Sequence, residues 1–351
     1  MDALTEPRTI RTQPRPSCRV CGSAGDLIYV GLVDSLFGAP GEWSMRRCGN
    51  RGCRLLWLDP QPTSEDIGMA YATYFTHEER SGAPSLPKRI FRQVRASYLR
   101  SSLGYTAATS KRGWRLLAPV SHLLPGGGAS FAAGVMFLPA QNASPRLLDV
   151  GCGGGDFIAG MQGLGWNVSG IETDPIAVKR AQSRGLDVHL GEVWTAELAE
   201  ESFDAITMAH VIEHVHDPAR VLARCRRLLK ANGTLVVTTP NSESWGHRHF
   251  GRDWLSLDPP RHLHLFNRDN IATLLHAAGL HPVRIASLAI NASAVWPTSA
   301  AIRRKRSAGT AETLTLRTTP GGIARQVAER MRLTVDESVG EDLLAITKRT
   351  V

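Results

Sequence analysis

Leu147-Leu148-Asp149-Val150-Gly151-Cys152-Gly153-Gly154-Gly155 is a short apolar run that closes on an acid and then breaks into glycine. Such a run, bounded by glycine, reads as a buried strand. Glycine lets the next turn take left-handed angles and brings bare backbone close to a ligand. The amides that follow open a helix, whose N-terminus favours negative charge. The carboxylate of an amino acid suits that position. A dinucleotide fingerprint would place glycine at three spaced positions; Gly151 and Gly153 satisfy two, but the third falls on Asp156, which counts against a nicotinamide cofactor.

Outward from this loop, the chain beyond Pro145 alternates short apolar strands with helices, the signature of an α/β doubly wound sheet. The candidate strands are Arg146 to Val150, Asn167 to Ile171, Asp187 to Leu190, Phe203 to Ala209, Thr234 to Thr238, Val283 to Ala289 and Leu343 to Thr347. Asp174-Pro175 and Asp217-Pro218 each supply an N-cap followed by proline in the first turn, and Gly185 and Gly233 mark the stops. Glu172 ends the second strand, 21 positions past Gly151, where a carboxylate can accept both hydroxyls of a ribose. Glu192 follows the third strand, where it could meet an adenine amino group.

Toward the N-terminus, Cys18 and Cys21 are separated by two residues, and Cys48 and Cys53 by four. With no apolar core in Met1 to Ser17, no secretory signal is expected, and paired thiols in a cytoplasmic chain read as metal ligands before disulfides. Strand-like composition at Leu27 to Leu36 and Cys53 to Leu58, with glycine turns between, makes a small zinc ribbon. Helical spacing at Ile67 to Tyr74 and Lys88 to Leu103 makes a connector, closed by a Gly/Pro-rich stretch from Pro125 to Pro139. The expected organisation is a tail at 1–16, a ribbon at 17–62, a basic helical connector at 63–144 and the α/β domain at 145–351, with an insertion near 295–339.

The 351 residues carry a formal net charge of +9, concentrated between Arg80 and Leu148, which hold ten Lys or Arg and no Asp or Glu. Such a field favours anionic partners: a phosphorylated substrate, nucleic acid or an acidic membrane surface. The charge-free stretch from Leu116 to Pro145 is interrupted by prolines and glycines, so no transmembrane helix is expected and at most peripheral membrane contact.

The ordered series Asp149 to Gly155, Gly170-Ile171-Glu172, Phe203-Asp204 and His210-Val211-Ile212-Glu213-His214-Val215-His216-Asp217-Pro218 resembles the motifs of class I S-adenosylmethionine-dependent methyltransferases. The resemblance is closest to the ubiquinone-biosynthesis O-methyltransferase group and to sugar- or polysaccharide-modifying relatives. Arg261-His262-Leu263-His264-Leu265-Phe266 is similar to the group's segment after strand five, and the paired cysteines with Trp57 to Pro62 resemble a subgroup bearing an N-terminal zinc ribbon. The resemblance implies a mostly parallel, Rossmann-like seven-stranded sheet. It also implies S-adenosylmethionine held by Asp149, Gly151, Cys152, Gly153, Glu172, Thr173, Glu192, Met208, Ala209 and His210, and zinc held by Cys18, Cys21, Cys48 and Cys53 in a structural role. Some relatives carry glutamate in place of His210 and bind magnesium there; an imidazole is a poor ligand for that hard cation, which lowers the expectation of magnesium here.

His210, Glu213 and His214 also match a zinc-peptidase pattern, which belongs on a long helix rather than directly after an apolar strand. Methyl transfer to a hydroxyl needs alignment and a base. His210 and His262 are the candidate bases, with Glu213 and His214 supporting them. The leading expectation is an enzyme acting on a small-molecule or glycan acceptor of negative charge, such as a sugar nucleotide or lipid-linked saccharide. The alternatives are an RNA methyltransferase that clamps its substrate with ribbon and connector, and a non-catalytic zinc-ribbon binding protein.

Overall fold

A computed structural model describes residues 9–71, 86–108, 119, 127–141, 144–309, 314–316 and 318–350. Basic residues Arg80, Lys111, Arg112 and Arg115, the end of the helix expected from Ile67, and the first half of the tail lie outside the described residues. In chain order, the first strands are β1 (Thr12–Gln13), β2 (Gly25–Leu32), β3 (Trp43–Cys48), β4 (Leu56–Leu58) and β5 (Gln61–Pro62). Helices α1 (Leu86–Leu103) and α2 (Gly127–Ala133) follow. The α/β part runs β6 (Arg146–Val150), α3 (Asp156–Gln162), β7 (Asn167–Glu172), α4 (Pro175–Ser183), β8 (Val188–Leu190), β9 (Phe203–Ala209), α5 (Pro218–Leu228) and β10 (Leu229–Pro240). It ends with α6 (Trp245–Phe250), β11 (His264–Leu265), α7 (Arg268–Ala277), β12 (Leu280–Leu288), α8 (Ala292–Ala308), α9 (Pro320–Arg332) and β13 (Asp342–Arg349).

Seven strands form one sheet in the order β12-β13-β10-β9-β6-β7-β8. Pairing is parallel from β10 through β8, while β13 runs antiparallel to both β10 and β12. Strand β6 is buried along Leu147 to Val150 because helices cover both faces, which is why it reads as a continuous apolar run. Its neighbours are β7 on one side and β9 on the other. Strand order therefore reverses at β6, and ligands of open α/β sheets bind outside the carboxyl ends of the strands at such a point. The helix starts follow the local chemistry: the Asp174 side chain accepts from the Ile176 N–H, and that of Asp217 from the Arg220 N–H.

Three expectations change. The ribbon is not closed at residue 62, because β11 completes its sheet, giving the order β11-β4-β3-β2 with His264 opposite Trp57. The described part of the Gly/Pro-rich stretch is packed core: Val135, Met136 and Leu138 are buried with Tyr105 and Trp166, and Phe131 is buried against Phe91 and Tyr98. The expected insertion near 295–339 carries two helices, α8 and α9; the cluster Arg303 to Arg306 lies on α8, and Arg306 makes two contacts with the buried Asp253 carboxylate at 2.6 and 2.8 Å. A helix wins there because Ala and Arg outnumber breakers, and Pro297 sits within the second turn.

Candidate functional site

The glycine loop leaves β6 at the switch point. Gly151 has φ +75°, and a Cβ there would lie 2.4 Å from Cγ2 of Val211, so the loop after β9 presses directly on bare backbone. Gly151 and Cys152 donate their N–H groups to the Ile171 carbonyl, which docks the loop on the end of β7. At Gly153, φ is +53° and nothing lies within 4 Å of where a Cβ would stand, so the crest of the loop is open. Cys152 points the other way and is buried against Gly170, where any side chain would collide with its sulfur.

Glu172 accepts from the Gly153 N–H through Oε2 at 2.8 Å, and through Oε1 from the N–H groups of Thr173 and Asp174. Backbone donors thus fix the carboxylate beside the loop crest. Asp149 is 4% exposed and accepts a 2.6 Å hydrogen bond from the Thr207 hydroxyl; burial pushes its carboxyl up to about 7. Its role is inside the fold, beneath the loop. Met208 is fully buried and offers only backbone to the cleft, whereas Ala209 is exposed. Glu192 is exposed beyond β8, with its carboxyl raised chiefly by partial desolvation.

Across the cleft, His210 adopts φ +53°, a conformation most non-glycine residues avoid, and its N–H bonds the Thr238 carbonyl. The ring sits between two buried carboxylates: Nδ1 is 3.3 Å from Glu213 Oε1, and Nε2 is 3.6 Å from Asp342 Oδ1. Burial opposes charge on the ring, but contact with Glu213 and the charge of Asp342 outweigh it and raise His210 to about 9. Desolvation pushes Glu213 the other way from its histidine neighbours, which win and hold its carboxyl at about 2. Asp342 lies 132 positions beyond His210, at the start of β13, and no sequence pattern announced it.

His214 and His262 stand edge to face with centroids 4.7 Å apart. His214 Nδ1 contacts the Arg261 carbonyl and the Tyr71 hydroxyl, and His262 Nδ1 contacts the Ser256 carbonyl. A carbonyl only accepts, so each Nδ1 carries a proton. Burial lowers His214 to about 4, so it is neutral. Ligand atoms of Glu213, His214 and His262 all lie within 4.8 Å of one another, a set that could hold a metal ion. Two imidazoles and one carboxylate suit borderline transition metals better than magnesium.

At the ribbon, Cys18 and Cys53 sulfurs are 3.6 Å apart, Cys21 and Cys48 sulfurs 3.4 Å, and all four thiols lie within 4.8 Å of one another. A zinc tetrahedron with Zn–S of ~2.3 Å has edges of about 3.8 Å, so this set fits a zinc ion closely. Asn267 and Asn270, at the start of α7, both donate side-chain amides to the Cys53 carbonyl, a tie between ribbon and sheet that the sequence did not disclose.

A family model described as a methyltransferase domain matches residues 128–285. Two ubiquinone biosynthesis O-methyltransferases of Cereibacter sphaeroides strains are similar. One is 35% identical over 158 residues, 42% of this chain and 63% of the relative; the other is 33% identical over 168 residues, 44% and 68%. The chain thus spans just under two thirds of the first relative's length and slightly more of the second's. Among solved structures, an S-adenosylmethionine-dependent methyltransferase from Mesorhizobium loti is 18% identical with a TM-score of 0.44, covering 64% of this chain and 100% of that one.

Proposed function

The chain belongs to the class I S-adenosylmethionine-dependent methyltransferases, and from that premise we propose that it methylates an anionic small-molecule or glycan acceptor in the cytoplasm. The observation that carries the reading is the open crest at Gly153 beside the fixed Glu172 carboxylate, at the point where strand order reverses. The residues fit the cofactor: the crest at Gly153 is open, with nothing within 4 Å of where a Cβ would stand, and Glu172 Oε2 has one donor, leaving lone-pair capacity for a ribose hydroxyl. S-adenosylmethionine, when bound, supplies a methyl group activated on sulfonium sulfur.

The names of the relatives favour a hydroxyl as the acceptor atom. His262, whose Nδ1 is held by the Ser256 carbonyl at 2.7 Å, is the residue we assign as base. His210 holds its proton at neutral pH, so its contribution is positive charge and a fixed loop rather than proton abstraction. Glu213, gripped by the Thr239 hydroxyl at 2.9 Å, positions both. Cys18, Cys21, Cys48 and Cys53 hold zinc in a closed structural site; all six cysteines are free of disulfides, which agrees with a reducing compartment. Among the described residues, no helix is long and apolar enough to cross a membrane.

Calorimetry of the full chain with S-adenosylmethionine tests the reading. One site per chain is expected, and Gly153→Val should weaken it by at least tenfold by filling the crest. No heat of binding in the native chain would remove methyl transfer from the account.

A further inference from the structure

A cavity of about 430 Å³ lies between the ribbon and the segment that leaves β10, walled by Tyr29, Arg47, Arg54, Ser242, His247 and Arg248. Three guanidinium groups face it, against one carboxylate, Glu243. Arg248 is oriented by Asp336 at 3.0 Å and Ser338 at 2.6 Å, while Arg54 reaches Glu243 only at 3.6 Å. Among the described residues, Arg47 has no hydrogen bond or ion pair through its side chain, although a half-buried guanidinium normally finds one.

The remaining wall is rigid and uncharged. The Ser242 carbonyl accepts from His247 Nδ1 at 2.6 Å, and Nε2 then accepts from the Tyr29 hydroxyl at 3.0 Å, which fixes the ring in one tautomer. Burial lowers His247 to about 4, so it adds no charge. The net excess of positive charge therefore rests on the arginines, whose planar forks match phosphate oxygens in pairs.

The cavity falls in the ~300 to 1,000 Å³ range of small-molecule sites and exceeds what a lone inorganic ion fills. Its lining includes Ser242, two residues past the carboxyl end of β10, and the same strand pins His210 through Thr238. A polynucleotide needs cations repeated along a groove, whereas these three converge on one cavity. We propose that this cavity is the phosphate subsite of the acceptor, so that the molecule methylated is a phosphorylated small molecule gripped by Arg47 and Arg54 from the ribbon. This rests on the methyltransferase reading. It also gives the ribbon a share in substrate recognition.

The test uses the full zinc-loaded chain and inorganic pyrophosphate as probe, followed by calorimetry and by phosphorus NMR line broadening. The native chain should bind pyrophosphate, with inorganic phosphate weaker, and affinity should fall as salt rises. Arg47→Gln and Arg47→Gln/Arg54→Gln should weaken pyrophosphate at least tenfold while S-adenosylmethionine affinity, zinc content and melting temperature stay at native values. Arg304→Gln, on the exposed face of α8, should bind as the native chain does. Absence of pyrophosphate binding at millimolar concentration, or equal binding by native chain and Arg47→Gln, would overturn the subsite. Loss of zinc or of the native melting transition in Arg47→Gln would shift the comparison to Arg54→Gln, judged by the same tenfold criterion. Failure of the native chain to bind S-adenosylmethionine, with pyrophosphate still bound, would instead overturn the reading beneath it.

Discussion

His210 is the residue at which backbone strain and electrostatics meet. Its positive φ aims the ring between Glu213 and Asp342, and the two carboxylates raise it to about 9, above the ~6.5 of an unperturbed imidazole. A raised value means that the His210 contribution is in place below about pH 6.5 and is lost as pH rises through 9, while Asp342, whose carboxyl burial raises to about 6, takes up a proton below that pH and weakens its share of the pairing on the acid side. Imidazole NMR titration should find His210 near 9 in the native chain, and Asp342→Asn should move it down toward the ordinary range. A native value near 6.5 would refute the arrangement. The glycine loop allows a paired test at the same scale. Gly151→Ala places a methyl group 2.4 Å from Val211 at φ +75°, and should cost ~1–3 kcal/mol and weaken S-adenosylmethionine at least tenfold. Gly160→Ala, inside α3 with open space around it, should instead be neutral or stabilise by ~0.5–1 kcal/mol in urea unfolding. The loop was legible because its residues are neighbours in the chain. The surroundings of His210 and His214 were not, because Asp342 reaches His210 from 132 positions away and Tyr71 reaches His214 from 143.

At the scale of elements, the expected strands of the large sheet match the observed ones closely at Arg146–Val150 and Phe203–Ala209. Both are short buried runs, which their length and flanking residues, rather than their period, separate from a helix. Strand β10 runs five residues earlier than the expected Thr234, since α5 passes into it through a register shift between Leu229 and Thr234. Strand β3 was missed because Arg46 and Arg47 interrupt its apolar pattern; Arg46 is in fact a paired residue, bonded to Asp59 at 2.6 Å. Strand β11 is only two residues long and has meaning only opposite β4. Packing in this small sheet is tight enough for a direct test. A Cβ on Gly25 would lie 2.3 Å from the fully buried Trp57 ring and 2.6 Å from the Arg47 carbonyl. Gly25→Ala should therefore destabilise by ~1–3 kcal/mol in chemical unfolding. A loss under about 0.5 kcal/mol, the usual range for surface changes, would show that the ring can yield.

For the whole molecule, the question is whether the ribbon folds by itself, as its early place in the chain suggests, or only with the sheet. Several ties cross between them. β11 extends the ribbon sheet, the Leu263 N–H donates to the Glu213 carbonyl, and the Cys53 carbonyl takes two amides from α7. Arg261 adds a buried link, with Asp34 of the ribbon 2.8 Å from one nitrogen and Asp258 holding the others. Removing one partner of such a set leaves a buried charge uncompensated, a cost of ~3–5 kcal/mol. Metal at the four thiols thus bears on the loop that holds Glu213, not on the ribbon alone. Cys21→Ser should lower zinc from about one ion per chain to well below half and depress the melting temperature by roughly 5 °C or more. The near-ultraviolet signal of the tryptophans and the far-ultraviolet signal of the helices should melt in one coincident transition in both proteins. Two separated transitions, with the ribbon melting first and S-adenosylmethionine affinity unchanged, would show instead that the ribbon is an independent module and that its contacts with β11 and α7 contribute little to the site.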